Sequence, residues 1–152
     1  MQIKQGLVNE PQIRALLNQH LLDMKASSPP DSVHAFDYTA LLKPRITFLT
    51  AWDSSNLLGC GALNVLDAEH GELKSMRTAP AHRRKGVAAA ILEALIAVAQ
   101  TKNLIRLSLE TGTPVAFDAA RAFYAKHGFK PCKAFADYPS DDPHSMFMTR
   151  LI

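Results

Sequence analysis

The chain has 152 residues, of which 47% are hydrophobic and 20% charged, with 7 Gly and 9 Pro. This length and composition exclude a disordered or fibrous protein and predict a single folded domain over residues 1–152. The net charge of +3 comes from 17 cations against 14 anions. Because the chain lacks dense basic runs and basic residues interleaved with aromatic ones, we expect no nucleic-acid partner.

Cysteine and histidine spacing argues against a metal site. Cys60 and Cys132 belong to no CxxC or Cys/His pattern, and the six histidines form no HxxxH or HxH pattern, so neither zinc nor a redox pair is predicted. The N-terminal residues lack an apolar signal core, and the most apolar helix is too short to span a bilayer. We therefore expect a cytoplasmic protein with no metal and no membrane contact.

The first third of the chain predicts one strand and two helices. MQIKQGL alternates apolar and polar residues as a strand does. From about Pro11 to Met24 apolar residues recur at helical spacing, until the turn-rich segment 27–32 interrupts the pattern. VHAFDYTALLK, residues 33–43, is a second helical candidate that ends before Pro44.

The middle of the chain is rich in strand formers. ITFLTAWD and LLGCGALNVL are separated by turn residues 53–56, which predicts an antiparallel hairpin. HGELKSMRTA then predicts a fourth strand.

The last part of the chain predicts a βαβ crossover and a closing helix. The helix that begins at Val87 is followed by NLIRLSLET, an alternating strand that should run parallel to the fourth. A final helix is predicted from Val115 to His127, with Gly128 in the left-handed conformation at its end, and the closing strands are 129–135 and 146–151. The element order β-α-α-β-β-β-α-β-α-β-β describes an α/β or α+β sandwich around a mixed sheet.

A basic segment, Arg83-Arg84-Lys85-Gly86-Val87-Ala88, opens the most apolar helix. The first turn of that helix carries no Ser, Thr or Asp cap, so its free N–H groups need a partner, and the neighbouring cations indicate an anion such as a phosphate. Gly86 would let the backbone approach that anion closely. A solvated loop without a ligand is the alternative.

Two segments resemble the GNAT superfamily of N-acetyltransferases. RRKGVA, residues 83–88, resembles the R/Q-x-x-G-x-G/A signature of that family, and ARAFYAKHGF, residues 120–129, is similar to its A-x-x-L/F-Y-x-x-x-G-F ending. GELKSMRTAPAHRRKGVA and SLETG look like a bacterial branch of uncharacterised small acetyltransferases. The resemblance implies a mixed central sheet of about six to seven strands flanked by about four helices.

The same resemblance implies acetyl coenzyme A as the acetyl donor. Its pyrophosphate would lie on Arg83, Arg84, Lys85, Gly86, Val87 and Ala88, and its pantetheine arm beside Met76, Arg77 and Thr78. At Phe117 many members of the family carry an asparagine that helps to bind the cofactor. Because phenylalanine cannot donate that hydrogen bond, the loop 111–118 is expected to be organised differently.

The resemblance also implies three catalytic candidates. Tyr124 matches the tyrosine that protonates the departing thiolate, and core packing is its alternative role. Glu72 and Glu110 are the two candidates for the base that deprotonates the acceptor amine, directly or through water. Simple alternation places Glu72, Lys74, Met76 and Thr78 on one face of the fourth strand, whereas a position near a turn would make Glu72 an exposed charge. An ion pair is the alternative role of Glu110.

The expected function is transfer of an acetyl group to a primary amine of a small molecule or peptide, by direct attack in a ternary complex. Acetylation of a protein lysine or N-terminus is an alternative, and so is a non-catalytic module that binds acetyl coenzyme A as a sensor. His34, Asp37 and Tyr38 are candidates to line the acceptor pocket, and the polar loop 135–145 is a candidate to cover it. The acceptor is left open, as is the oligomeric state, for which a homodimer is one option.

Overall fold

The computed structural model describes residues 1–33 and 38–152. In these residues seven strands form one sheet: β1 (Gln2–Gln5), β2 (Ile46–Asp53), β3 (Asn56–Val65), β4 (His70–Thr78), β5 (Arg106–Gly112), β6 (Lys130–Cys132) and β7 (Ser145–Leu151). Three α-helices accompany them: α1 (Pro11–Ser27), α2 (Val87–Thr101) and α3 (Asp118–Lys126). None of the described helices combines the length and the apolar character that a membrane crossing requires.

The strands lie in the order β1-β2-β3-β4-β5-β7-β6. Every neighbouring pair is antiparallel except β4 and β5, which are parallel and are joined by α2. The predicted hairpin and the predicted crossover are therefore confirmed, as is the mixed α/β class.

The two long helices cover opposite faces of the sheet, because each presents one apolar stripe. The stripe of α2 is at most 2% exposed and packs on the sheet together with Tyr124 and Phe129; it consists of Val87, Ile91, Leu92, Leu95 and Ala99. On the other face α1 packs its apolar stripe into a second cluster; it consists of Ile13, Leu16 and Leu17. The sheet is thus buried between two helical layers.

Two predicted helices are shorter in the structure. Of the helix predicted over residues 33–43, residues 34–37 lie outside the described part, and the remainder contains only a 3₁₀ turn, Ala40–Leu42. Lys43 is extended because it precedes a proline. The segment before α3 forms a separate 3₁₀ turn, Val115–Phe117. The described residues contain three α-helices, whereas about four were expected.

The end of α3 agrees with its prediction, whereas the strand after it is shorter than expected. Gly128 has φ +86°, the left-handed conformation that ends a helix. The strand predicted over residues 129–135 pairs with β7 only at Lys130–Cys132. Pro131 within it has no N–H to donate, as is usual for a strand at the edge of a sheet.

The parallel strands β4 and β5 separate soon after they begin. They pair only where His70–Glu72 lie beside Arg106–Ser108, although both strands continue beyond these residues. Over the rest of their described length, the facing edges of β4 and β5 are open to another partner.

A bulge in β4 follows this separation. One residue of β3, Gly61, faces two residues of β4, Ser75 and Met76, and Ser75 has φ +53°. Leu73 belongs to the α2 cluster, and the Met76 sulfur lies 2.5 Å from the position that a Cβ would take on Gly61, beside α2. Thus, after the bulge, β4 again presents a side chain to α2.

The bulge makes the predicted alternation along β4 wrong. Glu72 precedes Leu73 and faces away from α2, and Arg77 reaches Asp23 of α1 on that same side. Met76 points to the α2 side, so Glu72 and Lys74 do not share a face with Met76 and Thr78. The extra residue reverses the alternation.

Phe117 has a packing role that depends on the small size of Gly112. A Cβ built on Gly112 would lie 2.3 Å from the Phe117 ring, and Phe117 is buried. We expect Gly112→Ala to lower the free energy of unfolding by about 1–3 kcal/mol, because the ring has to move. Thermal and denaturant unfolding measure this change.

Phe117→Leu in the same chain is the matched rescue, since it removes the ring atoms that meet the new Cβ. The double variant should lose less stability than the sum of the two single variants. Additive losses would contradict the packing of Phe117 on Gly112.

Candidate active site

A cavity of about 130 Å³ lies where β4 and β5 separate. Residues from both faces of the sheet line it, because the strands no longer close the gap between them. The lining includes His20 of α1, Lys74, Ser75 and Met76 of β4, Glu110 of β5, Tyr124 of α3, and Tyr138.

The basic segment at the start of α2 is open to solvent. Arg83, Arg84, Lys85 and Gly86 are exposed, and no side chain in the described part of the chain caps α2. Arg84 and Gly86 have φ +60° and +80°. A Cβ on Gly86 would meet nothing within 4 Å, so its backbone conformation, rather than crowding within the protein, explains the glycine.

The loop and the helix terminus together are suited to an anion. Lys85 Nζ donates to the Ala81 carbonyl at 3.0 Å, which keeps its ammonium group near the helix start. The first N–H groups of α2 and the positive end of its dipole add to these cations. A pyrophosphate group therefore fits the segment from Arg83 to Ala88.

The last residues of β4 lead from the cavity towards the basic loop. Met76, Arg77 and Thr78 follow the separation from β5, so their main chain is available to a ligand that extends between cavity and loop. The Arg77 side chain is directed elsewhere, since its guanidinium forms an ion pair with Asp23 of α1. Arg77 can therefore contact a pantetheine arm through its backbone rather than through its side chain.

Tyr124 reaches the cavity from the α2 side of the sheet. Its side chain is buried and packs edge-on against Phe123 and Phe129, with ring centroids 5.2 and 5.6 Å away. Burial raises the pKa of its hydroxyl. Tyr124 therefore stays protonated at neutral pH and can donate a proton or a hydrogen bond.

Glu110 reaches the cavity from the other face. It follows Leu109, which packs in the α2 cluster, so alternation directs Glu110 towards the α1 side. Burial raises the pKa of Glu110 to about 7, a hydrogen bond with Ser145 and the charge of Lys74 lower it, and the charges of Asp142 and Glu72 raise it further. The carboxyl group can thus exchange a proton near neutral pH.

Glu72 is 3% exposed and does not line the cavity. Asn64 Nδ2 donates to its Oε1 at 3.1 Å, and the Tyr138 hydroxyl donates to its Oε2. Lys74 Nζ lies 3.9 Å from the same Oε2. The suggestion that Glu72 is an exposed charge near a turn is therefore wrong, since the carboxylate is enclosed by polar partners.

Tyr138 is a site residue that sequence reasoning did not single out. Its hydroxyl accepts a hydrogen bond from Lys74 Nζ at 2.8 Å while it donates to Glu72. Its ring packs against Phe135 and Phe147, with centroids 5.2 and 5.5 Å away. The loop 135–145 therefore contributes one side chain to the lining of the cavity. The available signal was the position of this aromatic residue among acidic and proline residues.

Of the three residues predicted to line an acceptor pocket, the structure describes Tyr38, which does not line the cavity. Tyr38 packs beside the α1 cluster, with the Arg14 guanidinium 4.3 Å from its ring centroid. His34 and Asp37 lie outside the described residues. Within residues 1–33 and 38–152, no group of three His, Cys, Asp or Glu side chains is placed to hold a metal ion.

Comparisons with known proteins show the family to which the chain belongs. The model of the acetyltransferase (GNAT) family matches residues 13–129. The chain is 47% identical over 152 residues to the uncharacterized N-acetyltransferase YsnE of Bacillus subtilis (strain 168), with 100% of both chains covered. It is 49% identical over 147 residues to the uncharacterized N-acetyltransferase YedL of Escherichia coli (strain K12), covering 97% of this chain and 92% of YedL.

The fold is also that of a solved structure with a bound cosubstrate. A GNAT family acetyltransferase from Elizabethkingia anophelis, solved with acetyl-CoA bound, superimposes with a TM-score of 0.70. The match covers 99% of this chain and 97% of that one at 20% identity, so it concerns the fold alone. From the family match over most of its length and the two full-length relatives, the chain belongs to the GNAT family of acetyltransferases and is an acyltransferase enzyme.

Proposed function

We propose that residues 1–152 act as one domain that transfers an acetyl group from acetyl coenzyme A to a primary amine of a small acceptor. The observation that carries the proposal is the cavity between β4 and β5, which Tyr124 lines from one face and Glu110 from the other. A thiolate leaving group and an attacking amine would lie on opposite sides of the thioester. Glu110 would accept a proton from the amine, and Tyr124 would donate one to the thiolate.

Acetyl coenzyme A supplies the activated acetyl group. Its pyrophosphate would bind to the backbone amides and cations from Arg83 to Ala88. Its pantetheine arm would follow the main chain of Met76, Arg77 and Thr78 into the cavity. The uncapped start of α2, the exposed cations and the open edge of β4 support this placement.

Glu110 is the proposed base. A free alkylamine has a pKa of about 10 and is mostly protonated at neutral pH, so it must lose a proton before it attacks. A carboxyl group whose pKa is about 7 accepts a proton more readily than an exposed glutamate does. Glu72 is the weaker candidate for this role, because both of its oxygens already have polar partners.

Tyr124 is the proposed acid. When the amine attacks the thioester, the C–S bond breaks and negative charge collects on sulfur. A buried phenol that is still protonated can donate to that sulfur as the bond breaks. Two protons leave the acceptor nitrogen on the way from ammonium to amide. The first, lost before the attack, ends on Glu110 and passes from there to solvent. The second, lost from the nitrogen after the attack, replaces the proton that Tyr124 donates to the thiolate, so that both side chains return to their starting states.

Direct transfer in a ternary complex is favoured over a covalent enzyme intermediate. Cys60 packs in the α1 cluster outside the cavity, and burial raises the pKa of its thiol to about 12. Cys132 does not line the cavity either. A thiol that stays protonated is a poor nucleophile, so the acceptor amine is the proposed attacking group.

The small size of the cavity, about 130 Å³, favours a small acceptor over a protein chain. A non-catalytic sensor would need the basic loop but would have no use for Glu110 and Tyr124 in the cavity. Calorimetric titration with acetyl coenzyme A, followed by a thiol-release screen of amines, tests the proposal. Binding without release from any amine would favour the sensor.

Gly86→Glu should weaken the binding of coenzyme A by roughly tenfold or more, because it places negative charge at the phosphate site. Calorimetry on the purified variant measures this effect. Gly6→Glu is the matched control, since Gly6 has φ +81° and nothing within 4 Å of an added Cβ but lies beyond β1. Equal affinity in the two variants would contradict the proposed phosphate loop.

Glu110→Gln should lower kcat by roughly 100-fold or more. In the parent protein, kcat/KM should fall as the pH drops through about 7, since protonated Glu110 cannot accept the amine proton. That acidic limb should be absent from the residual activity of the variant. Glu93→Gln, on the exposed side of α2, should leave the profile unchanged, and a parent-like profile for Glu110→Gln would return Glu110 to a structural role.

Tyr124→Phe should lower kcat by roughly 100-fold while the Kd for acetyl coenzyme A changes less than about twofold. The ring contacts with Phe123 and Phe129 remain, so the lost hydroxyl is the only change. Tyr38→Phe, outside the cavity, is the control and should keep the parent rate. Full activity of Tyr124→Phe would show that Tyr124 serves in packing alone.

A further inference from the structure

Ser75 is a buried polar residue in an unfavourable backbone conformation. It is 8% exposed and lines the cavity, and its φ of +53° is uncommon for a residue other than glycine. Its carbonyl oxygen accepts a hydrogen bond from Cys60 Sγ at 3.4 Å. Within residues 1–33 and 38–152, however, its Oγ has no hydrogen-bond partner.

His20 of α1 lines the same cavity and carries a second buried polar atom, Nδ1. Its Nδ1 also has no hydrogen-bond partner among the described residues. Burial, together with the charge of Arg77, lowers the pKa of His20 to about 4 although Asp23 acts in the opposite direction. The imidazole is therefore neutral at pH 7 and can carry its single proton on Nδ1.

Buried polar atoms without partners are rare in folded proteins, and two in one cavity point to a ligand that supplies the missing bonds. Ser75 approaches from β4 and His20 from α1, so the two side chains reach the cavity from different elements. Both can donate a hydrogen bond. Lys74, the neighbour of Ser75 in the chain, also lines the cavity, and its ammonium group donates to Tyr138 and lies 3.9 Å from the Glu72 carboxylate.

We propose that Ser75 and His20 form a subsite that binds the carboxylate of an amino-acid acceptor, whose amino group then faces Glu110. Two hydrogen-bond donors in a cavity that Lys74 also lines suit an anionic oxygen ligand better than a second amine. The inference rests on the proposed acetyl transfer to an amine. It adds that the acceptor carries a carboxylate.

The test compares free amino acids with their carboxamides, which keep the amine and lose the negative charge. Acetyl coenzyme A is the donor, and thiol release gives kcat and KM for each acceptor. The parent protein should use a free amino acid with a higher kcat/KM than its carboxamide. Equal kcat/KM values would overturn the subsite while acetyl transfer to amines still stood.

Ser75→Gly removes the hydroxyl and keeps a residue that tolerates a positive φ. It should lower kcat/KM for the preferred amino acid by roughly 10- to 100-fold, mainly through KM, and should change the carboxamide value less than about twofold. Ser54→Gly is the matched control, because Ser54 also has a positive φ, +52°, but is exposed in the turn after β2. Ser54→Gly should change kcat/KM neither for the amino acid nor for its carboxamide.

His20→Leu provides a second variant on a different element and should show the same selective loss. Thermal unfolding and the Kd for coenzyme A, measured on each variant, separate this loss from damage to the fold or the cosubstrate site. The subsite is wrong if both variants lower kcat/KM equally for the amino acid and its carboxamide. It is also wrong if neither variant changes kcat/KM for either acceptor. If no amine of either set is acetylated by the parent protein, the proposed function is wrong as well.

Discussion

The bulge at Ser75 is the constraint on which the rest of the site depends. A regular β4 would continue its parallel pairing with β5 and would close the sheet. Pairing with β5 ends after Glu72, the extra residue then turns the strand at Ser75, and the open edges of two strands border a cavity. The backbone energy stored at Ser75 is offset by the two helical layers that hold β4 in place, through the Arg77–Asp23 ion pair on one face and Met76 against α2 on the other.

The cations and the carboxyl groups of the site lie in different places relative to the separated strands. The cations of the basic loop lie at the solvent-exposed start of α2, where an extended polyanionic ligand can reach them. The carboxyl groups of Glu72 and Glu110 lie on the other side of the sheet, together with Lys74 and Tyr138. The low polarity around Glu110 raises its pKa, while the hydrogen bonds around Glu72 satisfy its charge. Two glutamates of one sheet are thereby given different chemical properties.

The sequence was sufficient to predict the sheet, its one parallel pair, the uncapped α2 and the left-handed Gly128, because these features follow from local periodicity and turn chemistry. The sequence was insufficient where a contact between distant parts of the chain determines the direction or the partners of a side chain. The bulge reverses the alternation along β4 without any glycine or proline at Ser75 to signal it. Glu72 is enclosed by Asn64 and Tyr138, which lie 8 and 66 residues away in the chain, and no local pattern could have paired them.

The two outer strands of the sheet are short, with four residues in β1 and three in β6. Pro131 offers no N–H to a further strand, and Lys130 places a charge in the same edge. An approaching peptide would therefore find few backbone groups with which to extend the sheet. Growth of the sheet from one molecule to the next is disfavoured at both ends, which protects the chain against edge-to-edge aggregation even though much of its interior consists of β structure.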